Sequence, residues 1–203
     1  MVLSHRRIGV NEPPSDLVAR CVRGDRRALE AVLRAQSPAL ERLLMRLTGR
    51  RSEVEDLLQN TFIAAIRAFP GFRGEASVRS WLTRLAITTF QDHLRQPERR
   101  RRAQLVLISD QDALPDATQV DREADARRRL ARLATHLDAI APKKRVAFVL
   151  HVVEGYSLEE VATLMNASRT ATKSRVFWAR RELLGRVSRD AVLRDLLTKD
   201  EPW

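Results

Sequence analysis

An all-α fold of two small helical domains joined by a flexible linker is predicted by three properties of the sequence. Hydrophobic residues make up 44% of the 203, but aromatics only 5%, so the cores must be built from aliphatic side chains. The chain holds just seven glycines and eight prolines, and the alternation expected of strands is absent, a composition that suits helices. Apolar residues instead recur every third and fourth position in two long blocks, and the pattern lapses between Pro97 and about Asp121.

Residues 1–14 read as a flexible N-terminus, and the first helical block covers 15–96. "SDLVARCVRGD" starts with a capping Ser15 and stops at Gly24. Residues 25–36 carry Ala28, Leu29, Val32 and Leu33 on one face. "SPALERLLMRLTG" is read as a separate helix, with Ser37 as cap, Pro38 in its first turn and Gly49 past its end. "SEVEDLLQNTFIAAIRAFP" opens with a capping box, Ser52 and Glu55, and ends at Pro70. One more helix spans roughly 78–95. Residues 97–121, "PERRRRAQLVLISDQDALPDATQVD", form the linker. The second block, 122–190, begins with a charged amphipathic helix carrying Leu130, Leu133, Leu137 and Ile140. A helix from Pro142 to Glu154 follows, ending at Gly155. Residues 191–203 are a C-terminal tail too short to interpret.

Charge narrows the function. The net charge is +11 and all but four of the 37 basic residues are arginine, which implies an acidic partner, with nucleic acid a commoner one than a membrane. Arginine suits bidentate phosphate and guanine contacts, although genome base composition biases the same choice. Cys21 stands alone, and His5, His93, His136 and His151 lack ligand spacing, so neither a disulfide nor a metal site is expected. No apolar run reaches membrane-spanning length and no signal peptide is visible. The expectation is a soluble, cytoplasmic protein without cofactor. No phosphate-binding glycine loop or nucleophile–base pair points to an enzyme, so no catalytic residue is expected.

The second block ends in a pattern suited to DNA. Ser157 and Glu160 make a capping box before Leu158, Val161, Ala162, Leu164 and Met165. Asn166 tolerates the left-handed turn that follows, and Ser168 caps a second helix. There Thr172, Val176, Ala179 and Leu183 form one core-facing stripe. Arg169, Thr170, Lys173, Ser174, Phe177 and Arg181 are the candidate contacts. Two short helices, a tight turn and a basic second helix match a helix-turn-helix, whose second helix enters the major groove. Lys173 and Arg181 suit phosphate or guanine, and Phe177 a thymine methyl. A basic surface helix in an ordinary bundle fits the same periodicity.

The first block poses a different question. "GFRGEASVRSWLTRLA", residues 71–86, gathers Phe72 and Trp81 with Arg73, Arg79 and Arg84 behind two glycines. Such rings and guanidinium groups serve either packing or the grip on bases that have left the duplex. On the preceding helix Val54, Leu58, Thr61 and Ala65 point one way, while Asp56, Asn60, Ile63 and Arg67 point the other, with Glu53 and Gln59 at the margins. Ile63 is then either a tolerated exposed residue or the apolar centre of a docking surface.

"EDLLQNTF", "FRGEASVRSWL" and the run ending "QDHLR" resemble conserved region two of a bacterial sigma factor of the extracytoplasmic-function (ECF) group. "LDAIAPKKRVAFVLHVVEGYSLEEVATLMNASRTATKSRVFWARREL" is similar to region four of the same group. The resemblance covers about residues 15–96 and 125–187, in the family's order. It implies a promoter-specificity subunit of RNA polymerase. Asp56, Gln59, Asn60 and Ile63 would dock on the clamp coiled coil of the β′ subunit of the core enzyme, which also offers its β subunit as a partner. Phe72, Arg73, Glu75, Ala76, Ser77, Arg79, Trp81 and Arg84 would hold the single non-template strand of the minus-ten element. Gly71 and Gly74 would let that loop approach the strand, while Trp81 is equally readable as a core wedge. The helix from Ser168 would read the minus-thirty-five element in duplex DNA, and the linker would thread toward the RNA exit path. An anti-sigma partner is also implied.

The chain departs from the family at several positions. The usual Gly-Thr-Val-Lys-Ser-Arg reads Thr-Ala-Thr-Lys-Ser-Arg at 170–175, so Thr172 replaces an apolar core contact. Asn166 takes the place of a turn glycine, and Thr88 and Thr89 stand where an Arg-Asn pair is common. These changes leave the minus-thirty-five preference open. Two rival readings share much of this pattern: a helix-turn-helix regulator acting without polymerase, and a polymerase-binding protein that has lost promoter recognition.

Overall fold

The structure, a computed structural model, describes residues 12–95 and 121–194. The linker, most of the N-terminal segment with His5, and residues 195–203 lie outside the described residues. Among those described, every element is helical. The N-terminal body holds α1 (Ser15–Val22), α2 (Arg26–Thr48), α3 (Arg51–Ala68), a 3-10 turn (Phe69–Gly71) and α4 (Val78–Arg95). The C-terminal body holds α5 (Asp121–Asp138), α6 (Pro142–Phe148) with a π-helical turn (Val149–Val153), α7 (Leu158–Leu164) and α8 (Arg169–Val187).

Three expected boundaries are corrected. Residues 26–48 are one helix with Pro38 inside it, not two helices meeting at Ser37. A proline there costs one hydrogen bond and some crowding. Leu29, Val32, Leu33, Leu40, Leu43, Leu44 and Leu47 nevertheless continue one buried stripe through it, and burial of that stripe outweighs the local cost. Ser52 does not cap α3: it lies inside the helix, Arg50 is the N-cap, and no side chain caps it. Thr48 instead ties the junction, its Oγ accepting from the Arg50 amide at 3.1 Å. Ser15 likewise is the first helical residue of α1 and makes no cap, Pro14 preceding it. The real cap of the opening pair of helices is Asp25, whose carboxylate accepts from Arg27 and Ala28 at 3.0 and 3.1 Å. The Ala28 amide, followed by the Arg20 guanidinium, holds its carboxyl pKa below the usual aspartate range.

In the C-terminal body the Ser157–Glu160 capping box is present in both directions. Asn166 takes the left-handed conformation with φ 46°, and Ser168 caps α8 by accepting from Ala171. Leu130, expected on the apolar stripe of α5, is 66% exposed. Ile140 lies beyond the end of that helix and is buried. The helix expected to run unbroken from Pro142 to Glu154 changes to π geometry at Val149.

The two bodies do not stand apart. Buried residues from both, including Leu47 and Phe90 on one side and Ile140 and Phe148 on the other, form one continuous cluster. At its seam lies Arg145, 2% exposed. Its guanidinium donates to the Leu47 carbonyl at 2.9 Å, the Asp138 carboxylate at 2.7 Å and the carbonyls of Asp138 and Ile140 at 2.8 and 3.3 Å. A buried cation tied to so many acceptors is costly to leave half-paired.

Candidate nucleic-acid and protein interfaces

Three surfaces emerge. The first is the outer face of α3. Packing of this helix against α2 and α4 buries Val54, Leu57, Thr61 and Ala65 and turns Asp56, Gln59, Asn60 and Ile63 to solvent together. Thr61 is the one polar member of the buried stripe, and its hydroxyl donates to the Leu57 carbonyl at 2.7 Å. Ile63 is 45% exposed, and Ile66 beside it also lies open. Ile66, Phe62, Leu29 and Leu33 line an apolar groove between α2 and α3, rimmed by Arg26, Glu30 and Arg34. Sequence reasoning reached Ile63 but not the groove. Its signal was the Phe62, Ile63, Ile66 cluster on the polar side of an amphipathic helix.

The second surface is the loop of residues 72–77 with the start of α4. Phe69 is fully buried, and Phe72 and Trp81 pack on it with ring centroids 5.6 and 5.1 Å away. Phe72 and Trp81 also meet each other at 5.3 Å. Both are half-buried against the core, so each ring is part packed and part open. Arg73, Glu75, Ala76 and Ser77 stand exposed around them. Gly74 allows the turn with φ 71°, where a side chain would be strained. Ser77 accepts from the Ser80 amide at 3.0 Å. Glu12, from the segment expected to be flexible, accepts from the Val78 amide at 2.6 Å. Arg79 and Arg84 do not join the loop. Arg79 is half-buried in a crevice with Gln36, Leu40, Glu154 and Tyr156. Arg84 donates to the Thr163 carbonyl of α7 at 3.3 Å.

The third surface is the outer side of α8. Thr172, Val176 and Ala179 are buried and Leu183 packs against the core, so Arg169, Thr170, Lys173, Ser174, Phe177 and Arg181 all face solvent. Thr172 fits its buried position because its hydroxyl donates to the Ser168 carbonyl at 3.0 Å, leaving only its methyl group toward the core. Phe177 is 57% exposed. Sequence reasoning missed Trp178, which is 44% exposed and meets Phe177 edge-on at 5.4 Å. The Arg181 guanidinium lies over the Trp178 ring at 5.4 Å. Stacking uses the faces of a guanidinium and leaves its N–H edges free to bond a phosphate or guanine. The available signal was the i, i+3 spacing of Trp178 and Arg181. Arg169 pairs with Glu159 of α7 and joins the two helices of the motif. That carboxylate is held below its usual range by backbone hydrogen bonding and by Arg169.

The three described histidines make local contacts. His136 shares a 2.7 Å hydrogen bond with Asp190, which fixes the turn after α8 to α5, and His151 meets the Tyr156 carbonyl. His93 lies 3.6 Å from Glu53. Burial pushes the Cys21 thiol up. Among the described residues no group of three or more His, Cys, Asp or Glu side chains is placed to hold a metal, and no helix is long and apolar enough to cross a membrane.

Residues 32–101 match the family model of sigma-70 region 2, and residues 130–183 that of sigma-70 region 4. Over 173 residues the chain is 33% identical to the ECF RNA polymerase sigma factor SigM of Mycobacterium tuberculosis, covering 83% of this chain and 82% of that protein. The fold is similar to CnrH in complex with the cytosolic domain of CnrY, with a TM-score of 0.62 and 24% identity over 87% of this chain and 97% of that one. It is also similar to RpoE in complex with the anti-sigma factor NepR from Bartonella quintana, with a TM-score of 0.56 and 24% identity, covering 79% and 97%.

Proposed function

We propose a division of labour from the premise that this chain belongs to the sigma-70 family of RNA polymerase sigma factors, in its ECF group. As a sigma factor it binds core RNA polymerase and promoter DNA and promotes transcription initiation. Our reading assigns residues 15–96 to polymerase docking and the minus-ten element, and 122–190 to the minus-thirty-five element. Asp56, Gln59, Asn60 and Ile63 meet the β′ clamp coiled coil, Ile63 supplying an apolar centre inside a polar rim, as protein interfaces commonly have. The loop 72–77 takes the non-template strand of the opened duplex. Binding only the splayed strand stabilises the open state, and stacking on a ring contributes about 1–3 kcal/mol per base. Phe72 and Trp81, each half-buried, can take that role with the part of the ring left open while their contacts with Phe69 hold the loop in place. On α8, Thr170, Lys173, Ser174 and Phe177 reach the major groove, and Arg181, steadied by Trp178, binds a phosphate or a guanine edge.

The observation that carries this reading is the outward clustering of all six candidate residues on α8, in the body whose sequence matches region 4. The protein acts by binding, in the cytoplasm, where the polymerase is. The anti-sigma factor bound to RpoE supports an inhibitory partner for this chain too.

In vitro transcription with core polymerase on a library of genomic fragments tests the reading. Specific starts that require this chain are expected. Duplex binding with no transcripts and no association with core would replace it with a free-standing regulator. Asp56→Arg should lower affinity for core about 10-fold, equivalent to about 1.4 kcal/mol, measured by fluorescence anisotropy of a labelled chain, with its circular dichroism unchanged.

A further inference from the structure

The loop 72–77, proposed to take the non-template strand, is held at its two ends and hardly at all between them. Among the described residues no backbone hydrogen bond involves residues 73–76. Arg73 and Glu75 meet only at 4.0 Å, with side chains 82% and 79% exposed. At the entry, the Phe72 amide donates to the Phe69 carbonyl at 2.9 Å and the two rings pack together. At the exit α4 begins, and the first amides of a helix have no partner within it. Ser77 supplies one acceptor, to the Ser80 amide. The other comes from 66 residues away, where Glu12 accepts from the Val78 amide at 2.6 Å.

One short segment therefore reaches both ends of the loop. α1 packs on the 3-10 turn Phe69–Gly71 that leads into it, with Leu17 and Val18 against the core and Cys21 buried in it. Immediately before α1 stand Pro13 and Pro14, the latter at φ −53° and ψ 145°. A proline fixes its own φ and confines the residue before it to extended conformations. Glu12 thus rides on a stiff arm whose base is packed with α1, and its carboxylate is delivered to Val78 with little freedom to lose. Glu12 itself is exposed, so its effect is not one of burial. What it fixes is the point at which the loop becomes a helix.

Charge separates two roles for this carboxylate. The strand is a polyanion, and a negative side chain close to it opposes binding. A bystander carboxylate would weaken the grip of the loop, whereas one that sets the shape of the loop strengthens it. The two roles have opposite signs.

We propose that Glu12 is a positioning residue for the minus-ten strand. By tying the start of α4 to the arm of α1, it holds residues 73–77 in the shape that receives the strand, and it acts on the strand through the loop. This rests on the sigma-factor reading of the loop.

The test compares Glu12→Ala, which removes both acceptor and charge, with Glu12→Gln, which removes only the charge. Each full-length chain is assembled with core polymerase. The probe is a fluorescent oligonucleotide copying the non-template minus-ten strand of the strongest promoter found by in vitro transcription. Glu12→Ala should bind it about 5-fold more weakly than wild type, the scale of one lost hydrogen bond, and Glu12→Gln should recover the wild-type affinity. Affinities for core and for minus-thirty-five duplex should be unchanged in both variants. Amide exchange at Val78 should be slow in wild type and faster in Glu12→Ala. An alanine variant that binds the strand as well as wild type, or more tightly, would overturn the proposal. So would a glutamine variant as weak as the alanine one, an unprotected Val78 amide in wild type, or a loss of equal size for duplex. Wild-type chain that gives no specific starts with core would instead overturn the sigma-factor reading.

Discussion

The two proposed nucleic-acid surfaces use the same residue types in opposite ways. Around the loop 72–77, Phe72 and Trp81 lean on the buried Phe69 and are themselves half-buried. On α8, Phe177 and Trp178 are 57% and 44% exposed and meet each other, with Arg181 over the Trp178 ring. The difference follows from the backbone each surface must hold. A loop has few hydrogen bonds of its own, so its shape is set by rings that anchor it to the core. A capped helix is already rigid, and its outer face is free to spend every side chain on a partner. Aromatic residues of the first body are therefore tied into the core beside the loop, whereas those of α8 stand largely exposed on the helix.

The sharpest way to break that comparison is to truncate one ring from each surface. Phe69→Ala should cost about 3–5 kcal/mol of stability in urea denaturation, because it empties a filled site under the loop. Phe177→Ala should stay within about 0.5 kcal/mol of wild type in the same experiment while weakening specific duplex binding. Similar stability losses from both would show that the rings of α8 are packing residues too.

Smaller effects sharpen the picture of α8. Lys173→Ala should reduce the slope of log affinity against log salt for duplex DNA by about one unit if it neutralises a phosphate. If it reads a base instead, discrimination at one position should relax with the slope retained. Trp178→Ala should lower duplex affinity about 2–5-fold, the equivalent of about 0.5–1 kcal/mol for an exposed cation–π contact. The same change made on an Arg181→Ala background should then have little further effect. Additive losses would mean that the two side chains act separately.

The smallest expected effect concerns acid. The His136 hydrogen bond, followed by the Val192 amide, holds the Asp190 carboxylate below its usual range. A depressed carboxylate stabilises the fold above its unfolded-state pKa and loses that contribution as pH falls through the folded value. The turn that buries Leu193 should thus loosen only below about pH 4, seen as faster amide exchange at residues 190–194. Loosening already well above that pH would show that the Asp190 carboxylate is not what holds the turn.

Much of the molecule was legible in order along the chain. The Ser157 capping box, the left-handed Asn166, the Ser168 cap and the stripe from Thr172 to Ala179 depend on contacts within a few residues, so spacing alone determined them. The same logic placed Asp56, Gln59, Asn60 and Ile63 together on one face of α3. It also placed Arg73, Glu75, Ala76 and Ser77 in the loop. Local rules misled wherever packing overrode them. Pro38 read as a helix start because it suits one, but an apolar stripe running through it joined two segments into α2. Ser52 had the spacing of a cap without the geometry.

What only the tertiary structure decided is where distant segments meet. The seam joins Leu47 to Arg145 and Gly49 to Ala134, pairs far apart in the chain that no local pattern links. Whether Trp81 belongs to the core or the surface was equally invisible, because its neighbour Phe69 approaches from the preceding helix. Periodicity reports which side of a helix is apolar, since that is a property of consecutive residues. Which other surface covers that side depends on the shape and charge of elements brought together across the chain, and that is settled by three-dimensional packing alone.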